Sequence, residues 1–352
     1  MEFLYDLGLF VAQAITLVAA ILIVVGGIFA LGQRQKAEHE GHIEIRDLNE
    51  KYRQIDETIR HVVTDESAFK AEQKAQKKED KAKAKAAKKQ LKQADAEPEE
   101  VRKRLFVLNF DGDIKASAAE NLREEISAVL PQVRENDAVL VRLESPGGMV
   151  HSYGLAASQL QRITDAGVHL TVAVDKVAAS GGYMMACVAN HIISAPFAVI
   201  GSIGVLAQLP NFHRLLKKHD IDFELLTAGE YKRTLTIFGE NTDKGREKFT
   251  EELEKTHLLF KQFVGQHRPS VVIDEVATGE VWYGQQAIDN NLVDSLQTSD
   301  GFVQEHLKDC DVYEVKFVHK KQWQEKLGLA AEGAIERSLL KLWQRGQSRT
   351  PL

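Results

Sequence analysis

The side chains best suited to covalent chemistry sit in short, glycine-rich surroundings. AASGG places Ser180 after a run with strand and turn signals, where small neighbours let a strained turn present a hydroxyl at the start of a helix. Ser145-Pro146-Gly147-Gly148 ends a neighbouring strand candidate, and its glycines allow backbone N–H groups to approach a substrate carbonyl, as an oxyanion hole requires. Either stretch alone is more often an ordinary turn. A serine also needs a base. His151, His191, His213 and His219 are the histidines to weigh, and none stands in the Ser…Asp…His order of the elbow hydrolases. Lys232, in TAGEYKR, is the other option, usable when burial or nearby dipoles favour its neutral form. The residues by themselves do not choose between them.

Metal and disulfide chemistry find little support. HEGH at 39–42 is not the H-E-x-x-H zinc pattern, and Cys187 and Cys310 lack any C-x-x-C or Cys/His spacing.

Strands alternating with helices must position these groups. RLFVLNF (104–110), DAVLVRLE (137–144) and HLTVAVD (169–175) read as strands. Helices are predicted from SAAENLREEISAVLPQV, with Ser117 as N-cap, and near 150–164. This order implies right-handed βαβ units and a mainly parallel sheet. The uncharged stretch after Lys176, which ends only at Arg214, fits the buried runs of such a sheet. Its breaks at Gly181-Gly182, Asn190-His191, Pro196 and Gly201 argue for helix, strand and loop between 180 and 205, with a second membrane span as the alternative.

The N-terminal third differs in texture. Leu7 to Gly32 carries no charge and is long enough to cross a bilayer, and its acidic leader MEFLYD is unlike a cleaved signal, so a retained anchor is expected. Arg34, Lys36, Arg46, Lys51 and Arg53 follow the span, which by flanking charge places the remainder in the cytoplasm. Ile45, Leu48, Tyr52, Ile55, Ile59, Val62 and Phe69 step by threes and fours, apart from one skip, as a short coiled-coil seam would. A lysine-rich tract, Lys70 to Lys92, follows; without interleaved aromatics it reads as a solvated helix or tether, and nucleic acid is not an expected partner.

Taken together, ASGGY, SPGG, EYKR, GSIGV (201–205) and GEVWYGQQAIDNNLVD (279–294) resemble the signal peptide peptidase A family of Ser-Lys peptidases, over residues 104 to about 300. The resemblance implies a ClpP/crotonase-type α/β fold, with Ser180 as nucleophile and Lys232 as general base. It further implies Gly147 and Gly181 as oxyanion-hole donors and Ser202 as the hydroxyl that orients the lysine. No cofactor or metal is implied. The expected partners are a peptide or protein substrate, the membrane through the N-terminal helix, and further copies of the chain in a homo-oligomer. The expected organisation is an anchor at 1–32, a coiled-coil and lysine-rich stalk at 33–103, a peptidase domain at 104–305, and a C-terminal segment with an amphipathic helix at 306–352. The resemblance implies a single-pass protein of a bacterial inner membrane and suggests a periplasmic domain, whereas the flanking charges suggest a cytoplasmic one, so the face stays open. Two other readings share these features: a crotonase-type acyl-CoA enzyme, which would need a carboxylate pair, and a catalytically silent membrane scaffold.

Overall fold

The computed structural model describes residues 41–65, 78, 81 and 102–320. The expected anchor, the lysine-rich tract and the residues after 320 lie outside that set, apart from Lys78 and Lys81. No helix among the described residues is long and apolar enough to cross a membrane.

The strands are β1 (Gly41–Asp47), β2 (Lys103–Asp111), β3 (Ala138–Glu144), β4 (His169–Val174), β5 (Val177–Ala179), β6 (His191–Ser194), β7 (Val199–Gly201), β8 (Val281–Tyr283), β9 (Ser295–Leu296) and β10 (Cys310–His319). The helices are α1 (Leu48–Val63), α2 (Ala119–Val129), α3 (Val150–Asp165), α4 (Gly181–Ala186), α5 (His213–Lys218), α6 (Asp243–His267), α7 (Ile273–Val276), α8 (Gly284–Asp289) and α9 (Ser299–His306). The larger sheet has the order β1-β10-β2-β3-β4-β6-β9, parallel from β10 through β9; a smaller sheet has the order β5-β7-β8.

The α/β class with a mostly parallel sheet is thus as expected, and its cause is visible in the strands. Val139, Leu140 and Val141 are fully buried, as only a strand covered on both faces allows. Tyr153, Ala156, Ala157, Leu160 and Ile163 form the buried face of α3, at helical spacing. The uncharged stretch folds as β5, α4, β6 and β7, so it is core and not a membrane span.

Several expectations are corrected. The expected coil seam starts at Ile45, but Ile45 lies in β1, and Leu48 is buried in a cluster with Leu105, Val303 and Val312. Asp47 ends the strand and caps α1 by accepting from the Glu50 N–H at 3.0 Å. The sheet also runs past residue 305, because Cys310 in β10 pairs with Lys103 in β2. Ser117 caps nothing: the Asp113 carboxylate accepts its hydroxyl at 2.8 Å, and α2 begins two residues later.

Residues 45–316 form one compact unit, which contains the whole of the site described below; the described residues 41–44 and 317–320 belong to a second unit.

Candidate active site

Ser180 occupies a single-residue joint between β5 and α4. Its φ of 52° and ψ of −117° lie where side-chain-bearing residues seldom go, so the chain turns sharply there. Two backbone bonds hold it. The Ser180 N–H donates to the Gly201 carbonyl at 2.7 Å, extending the β5–β7 pairing, and the Ser180 carbonyl accepts from Met184 at 3.0 Å, opening α4. At the first turn of a helix, the N–H of Gly181 has no intrahelical acceptor.

The SPGG turn comes to this joint through β-pairing. Ser145 donates its N–H to Val177 and accepts from the Ala179 N–H, which sets Pro146 to Gly148 beside Ser180. Gly147 has φ 88°, and a Cβ there would stand 2.7 Å from Ser180 Cβ and 2.8 Å from the Gly181 nitrogen. Gly182 is required for the same closeness: its Cβ would meet the Ser145 carbonyl at 2.5 Å. The Gly147 N–H donates to Ser145 Oγ at 3.1 Å and is therefore engaged. Gly148, the next residue, is exposed and lines a cavity of about 360 Å³ together with Ser180 and Gly181.

Apart from Ser158 and Thr256, the rest of that cavity is apolar. Met184 from α4, Gly154 from α3, and Leu259, Phe260 and Phe263 from α6 form its walls. Among the described residues no carboxylate lines it, and neither does His151, His191, His213 or His219. His191 Nε2 lies 3.0 Å from Ser295 Oγ on another part of the sheet. Ser202, also at positive φ (52°), follows Gly201 and donates its N–H to the Glu280 carbonyl at 2.7 Å. It thus flanks the residue that anchors Ser180. Lys232 sits in an exposed turn, its N–H donated to Gly229, and is outside the cavity lining.

A larger cavity, about 760 Å³, opens at the N-terminal ends of β2, β3 and β4, beside Lys103, Ala138 and His169. Parallel sheets present ligand-binding loops at the C-terminal ends of their strands, where Ser145 and Ser180 stand. The smaller cavity is accordingly the candidate site.

Of the residues the resemblance implies, Ser180, Gly147, Gly181 and Ser202 lie around this joint and Lys232 does not line the cavity; the contribution of α6 was missed. The signal was present: Thr256, Leu259, Phe260 and Phe263 recur at helical spacing. Tyr153 was missed as well. Its ring supports Gly181, whose Cβ would stand 2.4 Å from Tyr153 Cγ.

Comparison with known proteins matches the chain to two models, the peptidase family S49 N-terminal model over residues 2–160 and the peptidase family S49 model over residues 162–312. The chain is 54% identical over 331 residues to the probable protease SohB of Haemophilus influenzae, with 94% of each chain covered. It is 48% identical over 303 residues to the probable protease SohB of Buchnera aphidicola subsp. Schlechtendalia chinensis, covering 86% of this chain and 99% of that one. Among solved structures, a lysine-to-alanine mutant of the 1510-N membrane-bound stomatin-specific protease in complex with a substrate peptide aligns at 10% identity with a TM-score of 0.40, over 64% of this chain and 96% of that one.

Proposed function

The chain belongs to peptidase family S49, and on that premise we propose that it is a membrane-anchored serine endopeptidase that cleaves membrane-derived or unfolded peptides with a Ser180/Lys232 dyad. The observation that carries this reading is Ser180 itself, a non-glycine residue held at φ 52° on the wall of an apolar cavity. Such backbone strain costs about 1–3 kcal/mol and persists where surrounding structure enforces it, typically at functional sites. A silent scaffold has no use for it. A crotonase-type reaction would need carboxylates in the cavity, and among the described residues none lines it.

In the proposed reaction the neutral Lys232 amine takes the Ser180 proton as Oγ attacks the peptide carbonyl. The carbonyl oxygen becomes an oxyanion and is held by backbone N–H groups. Gly181 supplies one donor. For the second, Gly148 fits better than the expected Gly147, whose N–H is already donated to Ser145. Collapse expels the amine, which leaves with the proton held by Lys232, and water then hydrolyses the acyl-enzyme. Ser202 orients the lysine. The apolar walls favour apolar side chains beside the scissile bond.

Lys232 stands outside the cavity lining, and the segment around it exposes Leu206, Leu215, Phe223 and Leu226, the last at 92%. Apolar exposure of this kind fits a surface covered by another copy of the chain. The proposal therefore includes a homo-oligomer whose assembly brings Lys232 to Ser180, with residues 7–32 as the bacterial inner-membrane anchor.

The test uses detergent-purified full-length protein, an internally quenched apolar peptide and a fluorophosphonate probe. Cleavage should disappear in both Ser180→Ala and Lys232→Ala, and labelling should map to Ser180 alone. Cleavage by Ser180→Ala would overturn the reading.

A further inference from the structure

Beneath the candidate site runs a buried chain of hydroxyls that the reaction does not itself use. Ser145 and Tyr153 are both fully buried. The Tyr153 hydroxyl donates to the Asp113 carbonyl at 2.7 Å and lies 2.5 Å from Ser145 Oγ, which accepts the Gly147 N–H at 3.1 Å. The direction of every bond follows from its ends. A carbonyl only accepts and an N–H only donates, so the Tyr153 proton goes to Asp113, and the Ser145 proton must go to Tyr153. The relay therefore reads Gly147 N–H to Ser145 Oγ–H to Tyr153 O–H to Asp113 C=O, with both hydroxyls satisfied as donor and acceptor.

Tyr153 also touches the other half of the site. Gly181 packs against its ring, while Gly148 packs against the Ile114 carbonyl, next to Asp113. One side chain thus fixes both segments whose N–H groups would face the oxyanion. By drawing the Gly147 N–H down into the core, the relay leaves the following peptide, that of Gly148, at the cavity wall.

We infer that Tyr153 and Ser145 form a positioning pair that sets the oxyanion-binding geometry of the SPGG turn relative to Ser180. This rests on the serine-peptidase reading above. Donor placement matters in the transition state more than in substrate binding, so the pair acts on kcat.

The experiment measures kcat and KM of Tyr153→Phe, Ser145→Ala and the double variant in the full-length protein, with the internally quenched apolar peptide and with folded fraction determined by thermal melting. Tyr153→Phe keeps the ring under Gly181 and removes only the relay. It should lower kcat about 10- to 100-fold with KM within about twofold. The double variant should be no worse than the more damaged single one, because both cut the same relay. Phe110→Leu is the control for loosened packing: Phe110 meets the Tyr153 ring edge-on with centroids 6.5 Å apart but carries no relay atom, so its melting temperature should fall with kcat retained. Full kcat in folded Tyr153→Phe, a loss confined to KM, or multiplicative losses in the double variant would overturn the inference. An active Ser180→Ala control would instead overturn the peptidase reading, whatever Tyr153 does.

Discussion

The backbone N–H of Ser180 is bonded to the carbonyl of Gly201 at 2.7 Å, and both residues hold positive φ, 52° and 93°. The end of β7 is therefore what keeps the Ser180 joint in its strained form. Ser202, the next residue, shares the same turn at φ 52°, so any shift in Gly201 reaches two proposed site residues together. Opposing the strain are the parallel pairing of Ala179 with Gly201 and the antiparallel pairing of Gly201 with Val281.

Gly201→Ala tests that coupling. The substitution puts a side chain at φ 93°, and its Cβ would stand 2.9 Å from Trp282 Cδ1. A stability loss of about 1–3 kcal/mol is expected from the backbone strain. Peptide cleavage per folded molecule should fall at least about tenfold, because Ser180 moves with its anchor. Retained kcat alongside the stability loss would show that the joint is held by other bonds.

Gly154→Ala should separate selectivity from stability. Gly154 lies inside α3, lines the cavity, and has nothing within 4 Å of an added Cβ. Replacing a helix-interior glycine by alanine adds up to about 1 kcal/mol of stability. The methyl group also narrows the cavity, so cleavage after phenylalanine should drop about tenfold relative to cleavage after alanine. Paired measurements of melting temperature and kcat/KM on the two peptides check both; unchanged selectivity would place the substrate side chain elsewhere.

The strands and the glycine turns were legible because their causes are local. β3 is apolar at successive positions since both its faces are covered, and Gly147 and Ser180 stand in stretches whose small residues announce close approach. What escaped notice depends on partners distant in sequence. Nothing near Cys310 says that β10 will lie beside Lys103, and a tyrosine on the buried face of α3 looks like any core residue until Ser145 is seen 2.5 Å away. The heptad seam failed at its start for a related reason. Leu48 fits a helical stripe equally well whether its partner is another coil or, as here, Val303 and Val312 of the same domain. Lys232 carries no local sign of the role proposed for it, since its turn is exposed.

Two carboxylates held by arginines, Asp137 in the core and Asp294 nearer the surface, should govern acid stability. Asp137 accepts from the backbone N–H groups of Arg104 and Arg134 and from the Arg104 guanidinium, with side-chain exposure of only 3%. Burial pushes its carboxyl upward, but these bonds prevail and hold it below the usual carboxylate range. Asp294 is likewise lowered, with burial outweighed by Arg268 and by the Ile192 N–H. A carboxylate depressed in the folded state contributes its full stability above the unfolded pKa of about 3.9 and loses it as pH falls through the folded value. Urea midpoints of the wild type should therefore decline from about pH 5 downward. Asp137→Asn should cost about 3 kcal/mol at neutral pH and flatten that decline. An unaltered acid slope in the variant would remove Asp137 from the account.

The proposed assembly makes the sharpest prediction about Lys232. Because Lys232 lies outside the cavity lining at Ser180, a dyad completed between copies needs one intact serine and one intact lysine from different chains. Ser180→Ala and Lys232→Ala, each inactive alone, should then complement each other when co-expressed. Random mixing in a closed ring with head-to-tail contacts would recover about a quarter of wild-type activity. Leu226→Asp, at an apolar position 92% exposed in one chain, should dissociate the oligomer on sedimentation and lose cleavage with it. A fully active monomer, or mixed oligomers with no recovered cleavage, would mean that Lys232 reaches Ser180 within a single chain by moving its own turn.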